Sequence, residues 1–138
     1  MLHKQDLNRV VKFQENTVVE ILHPQLPSEM IVGGSSAQRN WVHYSESSQQ
    51  FTAGIWSSEP GFVSFETIAY PFDDFMHLLS GKVKLTDIEG HVQIFSTGDI
   101  FLIPKGWRGT WETVEPTRKL YAKFEVALGD RNEQSVES

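Results

Sequence analysis

What most limits the fold of this chain is its punctuation. Short runs rich in Val, Ile, Phe, Trp and Thr fall at 17–22, 39–44, 51–57, 62–70, 82–88, 91–96, 99–104, 109–114 and 117–127. Between them stand Glu59-Pro60-Gly61, Ser80-Gly81, Glu89-Gly90, Thr97-Gly98-Asp99 and Pro104-Lys105-Gly106. Short β-prone runs at regular spacing, broken by Gly and Pro, predict an all-β sandwich or barrel. Alternation agrees: in 117–127, Leu120, Ala122, Phe124 and Val126 share one face, and Lys119, Tyr121, Lys123 and Glu125 share the other. Ile100-Phe101-Leu102-Ile103 is apolar on both faces, which predicts cover on both sides from a second sheet or a partner subunit.

A chain of 138 residues has room for one such core. Residues 50–127 carry the barrel. Residues 1–49 include loop-like stretches at Gly33-Gly34-Ser35-Ser36 and Ser45-Glu46-Ser47-Ser48. They form an N-terminal extension expected to pack on the barrel or on a partner subunit, with a short helical turn within 6–15. Residues 128–138 are expected to be a mobile polar tail. A net charge of -6, with no Lys/Arg-rich block to offset it, argues against nucleic acid as a partner. The absence of cysteine removes disulfides, thiolate metal sites and cysteine nucleophiles, and it suits the cytoplasm. No signal peptide is visible after Met1, and nothing approaches the roughly 18 apolar residues of a membrane helix, so no membrane association is expected.

Two segments carry countable spacing. From Gly61, five residues lead to Thr67, one more to Ala69, four to Asp74 and six to Gly81. From Gly98, five residues lead to Pro104, one more to Gly106 and two to Gly109. This frame resembles the paired motifs of the cupins: glycine, five residues, His-x-His, four residues, Glu, six residues, glycine, and then glycine, five residues, Pro-x-Gly, two residues, His. Thr52-Ala53-Gly54-Ile55-Trp56, Leu78-Leu79-Ser80-Gly81-Lys82-Val83 and Pro104-Lys105-Gly106-Trp107-Arg108-Gly109-Thr110-Trp111-Glu112 resemble one branch of short cupins. That branch includes domains similar to ureidoglycine aminohydrolase and the ethanolamine-utilisation cupin. The resemblance implies a single-domain, all-β, cupin-type jelly-roll β-barrel and a homodimer.

The departures from the frame shape the functional reading. The metal-ligand positions of the family fall on Thr67, Ala69, Asp74 and Gly109. Two of these have no ligand atom, and one Asp with one Thr cannot hold a divalent ion against water, so neither metal nor other cofactor is expected. His77 lies three residues after Asp74 and should leave the cavity that Asp74 enters. His3, His23, His43 and His91 are expected to serve the surface or the core.

With the metal gone, the expected site is a pocket inside the barrel. Thr67 and Ala69 would form its wall, and Asp74 would be its charged and potentially catalytic group. Trp56, Trp107 and Trp111 would be its aromatic lining, with Gly109 giving the Trp111 indole room where an imidazole would stand. Lys105 and Arg108 fit either an anion site at the barrel mouth or ordinary surface charge. Tyr121 is left open between the interior and an interface. The leading reading is metal-independent binding of a small organic molecule. One alternative is a metal-free acid–base enzyme with Asp74 as the titrating group, its pKa raised by desolvation. The other is a structural domain whose barrel is filled by side chains.

Overall fold

The computed structural model of the protein describes residues 8–24, 26, 30–34 and 37–125. Strands dominate it. In chain order they are β1 (Glu20–Leu22), β2 (Ile31–Gly34), β3 (Gln38–Ser45), β4 (Phe51–Ser58), β5 (Gly61–Ser64), β6 (Asp73–Asp87), β7 (Val92–Ser96), β8 (Ile100–Ile103) and β9 (Gly109–Phe124). All pairings are antiparallel, in the order β1-β3-β4-β9-β5-β2. The sheet continues from β9 onto β6, which carries β7 and β8 on its far side. This is the all-β architecture that the run-and-turn pattern predicts, in the jelly-roll form that the cupin resemblance implies.

Two long strands, β6 and β9, form the spine and pair from Asp73↔Phe124 to Asp87↔Gly109. The Ser80-Gly81 pair, expected to break two strands, instead bends one. Register shifts there kink β6 without ending it. Gly81 is required at the bend: its φ is +103°, and a Cβ would meet Thr117 Oγ1 at 2.3 Å and the Pro116 carbonyl at 2.5 Å. Across the bend β9 changes neighbours, from β5 up to Thr113 to β4 from Thr117 onward. Pro116, which has no N–H to offer a ladder, sits in that gap. The runs 109–114 and 117–127 are therefore one strand, and the run 62–70 is strand only as far as Ser64.

The N-terminal region contributes to the same sheet, with β3 pairing along β4 and β1 along β3. Among the described residues, the helical turn expected within 6–15 is a 3-10 turn at Glu15–Thr17. The polar tail expected at 128–138 lies outside the described residues.

The core packs around Met76, Leu78 and Val83, each fully buried, with Leu85, Ile103, Trp111 and the stacked pair Phe95–Phe101. β8 is covered on one face only. Ile103 is buried, whereas Ile100 is 61% and Leu102 53% exposed. Among the described residues no helix is long and apolar enough to cross a membrane.

Candidate functional site

Alternation along β9 decides which side chains enter the barrel. Trp111, Thr113, Thr117, Lys119 and Tyr121 are buried, while Val114, Arg118 and Phe124 are exposed. The charged face of β9 is thus the inner one, and Leu120 and Ala122 look outward. β6 turns Asp74, Met76 and Leu78 inward, opposite Lys123, Tyr121 and Lys119 respectively. On the other side of β9, β4 sets Trp56 beside Lys119, and β3 sets Asn40 beside Trp56.

These strands enclose a cavity of about 380 Å³. Trp56, Trp111, Phe65 and Phe72 give it aromatic walls, and Asp74, Lys119, Lys123 and Tyr121 supply polar groups. The loop between β5 and β6 adds Ala69 and Tyr70. That loop is tied to the β8–β9 turn: the Tyr70 N–H donates to the Trp107 carbonyl (2.9 Å), and the Gly106 N–H donates to the Tyr70 carbonyl (2.8 Å). The tie aims the Tyr70 hydroxyl at Asp74, donating to Oδ2 at 2.6 Å.

Asp74 is 4% exposed. Its Oδ2 also lies 4.0 Å from Lys119 Nζ, and its Oδ1 has no hydrogen-bond partner among the described residues. The Lys119 ammonium stands 4.4 Å from the ring centre of Trp56 and 4.8 Å from that of Trp111, a cation–π clamp. Lys123 Nζ stands 4.1 Å from the Phe72 ring centre. Desolvation pulls both lysines below the usual amine pKa. Asp74 opposes the fall for both, Lys123 adds to it for Lys119, and Glu125 opposes it for Lys123. Burial, reinforced by Asp74, pushes the Tyr70 phenol well up, so that it remains a proton donor. Burial pushes Tyr121 up to about 12; its hydroxyl donates to Asn40 Oδ1 at 2.7 Å. The Trp56 indole N–H donates to Gln38 Oε1 at 3.1 Å.

The expected site residues divide. Asp74, Ala69, Trp56 and Trp111 line the cavity together. Thr67 does not: it is exposed on the β5–β6 loop, where its carbonyl accepts from Arg108. The strand ends at Ser64, so alternation no longer governs residue 67. Gly109 is buried but outside the cavity, clamped so closely that a Cβ would meet the Thr86 carbonyl at 2.2 Å. The indole over it belongs to Trp107, 2.6 Å from that Cβ position, and not to Trp111. Trp107 itself packs on Phe65 and Tyr70 behind the cavity wall. Arg108 holds the Glu66 carbonyl, and the Lys105 N–H donates to Asp73, so both serve the loop frame. His77 points away from the cavity, paired with Ile100 and Leu120 on the outer face. His43 stacks on Phe13 at 4.5 Å with Thr17 Oγ1 3.1 Å from its Nδ1, a structural role.

Lys119, Lys123, Tyr70, Asn40 and Gln38 are the residues that the spacing argument missed. The two lysines were reachable, because they share Trp111's parity along one strand.

A metal does not fit the four frame positions. Thr67 faces away, Ala69 and Gly109 offer no side-chain donor, and Asp74 is engaged by a phenol and faces an ammonium that would repel a cation. Among the described residues no cluster of three His, Cys, Asp or Glu could hold one.

Comparison with known proteins follows the same line. The EutQ-like cupin domain matches residues 45–121. A provisionally assigned ethanolamine utilization protein Q from Salmonella typhimurium LT2 superposes with a TM-score of 0.55 and 22% identity, over 66% of this chain and 72% of that one. The Clostridium difficile EutQ protein gives 0.55 and 16%, over 65% and 64%. Ectoine synthase from P. lautus gives 0.56 and 9%, over 92% and 86%. At these identities the structural likeness speaks to the fold. No protein with a curated description matches.

Proposed function

The chain belongs to the EutQ-like cupin family, and on that footing we propose that it is a metal-independent small-molecule-binding domain with its pocket inside the barrel. One observation carries the reading: an aromatic-walled cavity of about 380 Å³ holds Asp74, the one carboxylate left at the frame's metal-ligand positions, together with two lysines from β9. Protein interiors tolerate few voids of that size, and ligand pockets combine apolar walls with a few converging polar groups. Lys119 supplies beside Asp74 the positive charge that a metal would otherwise bring. Purified without chelators, the protein should carry no stoichiometric transition metal by elemental analysis. Ligand-induced thermal shifts should be the same with and without EDTA. One equivalent of metal bound near Asp74, or shifts abolished by EDTA, would overturn the reading.

A second reading, acid–base catalysis without metal, gains support from the Tyr70–Asp74–Lys119 cluster, which places a proton donor and an amine of lowered pKa around one carboxylate. Turnover that Lys119→Met abolishes would favour it.

We also propose a homodimer. Ile100, Leu102 and Phe75 are each about half exposed on the side of the sheet opposite the cavity. Phe75 pairs with Leu102 on one side and with the outward Ala122 on the other, and His77 stands between Ile100 and Leu120. A largely apolar face of this kind is costly to leave in water, and a second copy of the same face covers it.

A further inference from the structure

We infer that the pocket takes a small organic monoanion, a carboxylate that also bears a neutral hydrogen-bond donor and an apolar body, its carboxylate on Lys123 and its donor on the free oxygen of Asp74. This rests on the pocket reading above and names the ligand class.

The charges inside the cavity do not balance. Asp74 is the only acidic side chain lining it among the described residues, against Lys119 and Lys123. The aromatic faces under both ammonium groups favour their charged forms. Glu125 acts on Lys123 only from an exposed position, where solvent screens it. One positive charge is therefore left over in an apolar-walled space, where an unpaired charge is costly.

The second observation is the orphan acceptor. Asp74 Oδ2 is taken by Tyr70 and faces Lys119, while the buried Oδ1 has no partner. Buried polar atoms are almost always paired, so Oδ1 calls for a donor from whatever fills the cavity. Asp74 and Lys123 are direct partners across the β6–β9 ladder, so one small molecule can reach both.

Charge then sorts the candidates. A carboxylate with a hydroxyl or amide donor brings the cavity to neutrality. A zwitterion leaves the excess charge in place, and a phosphate dianion reverses it. The walls of Trp56, Trp111 and Phe72 take the apolar part.

Mandelate carries a carboxylate, a hydroxyl and a phenyl ring, and serves as the probe. Methyl mandelate lacks the charge, phenylacetate lacks the donor, and phenylglycine is the zwitterion. Calorimetric titration of the full chain near neutral pH is expected to give mandelate an affinity at least about tenfold above each of the three, the scale of one hydrogen bond to a charged group. Lys123→Met should erase the advantage of mandelate over its ester. The comparison among probes on the unaltered protein needs no variant. Equal binding of all four would overturn the ligand class while leaving the pocket reading standing. The same holds if Lys123→Met leaves mandelate's advantage intact. If no probe binds and tryptophan fluorescence does not respond to any, both the ligand class and the pocket reading fall.

Discussion

Strands β6 and β9 run side by side for most of their length, and both turn alternate residues into the barrel, yet they bring in opposite chemistries. β6 contributes Asp74 and then Met76, Leu78, Val83 and Leu85, aliphatic side chains packed against β7 and β8. β9 contributes Trp111, Thr113, Lys119, Tyr121 and Lys123, most of which border open space. Buried apolar side chains fill the β6 side. The β9 side spends burial on groups that cost free energy to desolvate and that a stable barrel does not need. The contrast separates a wall of packed apolar side chains from a wall that brings polar and charged groups to the cavity.

The contrast breaks most readily at β6. Leu78→Ala removes a fully buried side chain and should lower stability by about 2–5 kcal/mol, read as a fall in the urea midpoint with the slope unchanged. A loss much below 1 kcal/mol would mean that β6 is not the load on which the fold rests.

Alkaline titration sharpens the other side. The folded pKa of Lys119 and Lys123 lies below the ordinary 10.5, so the unfolded chain binds more protons than the folded one in that window. Stability should rise as pH climbs through it toward 10.5. The phenols work in the opposite direction. Tyr121 ionises near 10 when unfolded and only at about 12 when folded, so its contribution is complete below 10 and lost as pH rises from 10 through 12. The loss is roughly 3 kcal/mol, with Tyr70 adding to it in the same direction. Urea midpoints across this range should rise and then fall. Lys119→Met should remove much of the rise, and Tyr121→Phe part of the fall. A flat profile would place these groups in water.

The smallest effect on stability belongs to the outer face. Ile100→Glu alters an exposed residue and should change monomer stability by no more than about 0.5 kcal/mol. Light scattering should nonetheless show a dimer becoming a monomer. An unaltered protein that is monomeric at tens of micromolar would remove the dimer proposal.

Much of this was legible from residues alone. Turn residues marked the strands, and the glycine and proline frame located Asp74 and Ala69. Counting by twos carried Trp111 inward. Reading failed where a residue's role depended on something other than alternation. Gly81, at positive φ, bends a strand and does not end it. Thr67 stands in a loop three residues past the end of β5, so its frame position says nothing about its direction. Tyr70 reaches Asp74 through loop hydrogen bonds with no periodic signal. Lys119 and Lys123 had the right parity, but lysine is ordinarily a solvent-facing residue, so parity alone did not bring them to the cavity that both line.

The most direct test of the claim that the β9 charges serve a ligand and not the fold is the stability of Asp74→Asn/Lys119→Met, measured beside its mandelate binding. Replacing a buried ion pair with neutral side chains of similar size is neutral or stabilising by about 1–4 kcal/mol when the pair was not holding the structure. The account predicts a urea midpoint equal to or above that of the unaltered protein, together with mandelate affinity lowered toward that of phenylacetate. A loss of about 3 kcal/mol or more in the double variant, with mandelate's advantage over phenylacetate retained, would contradict it.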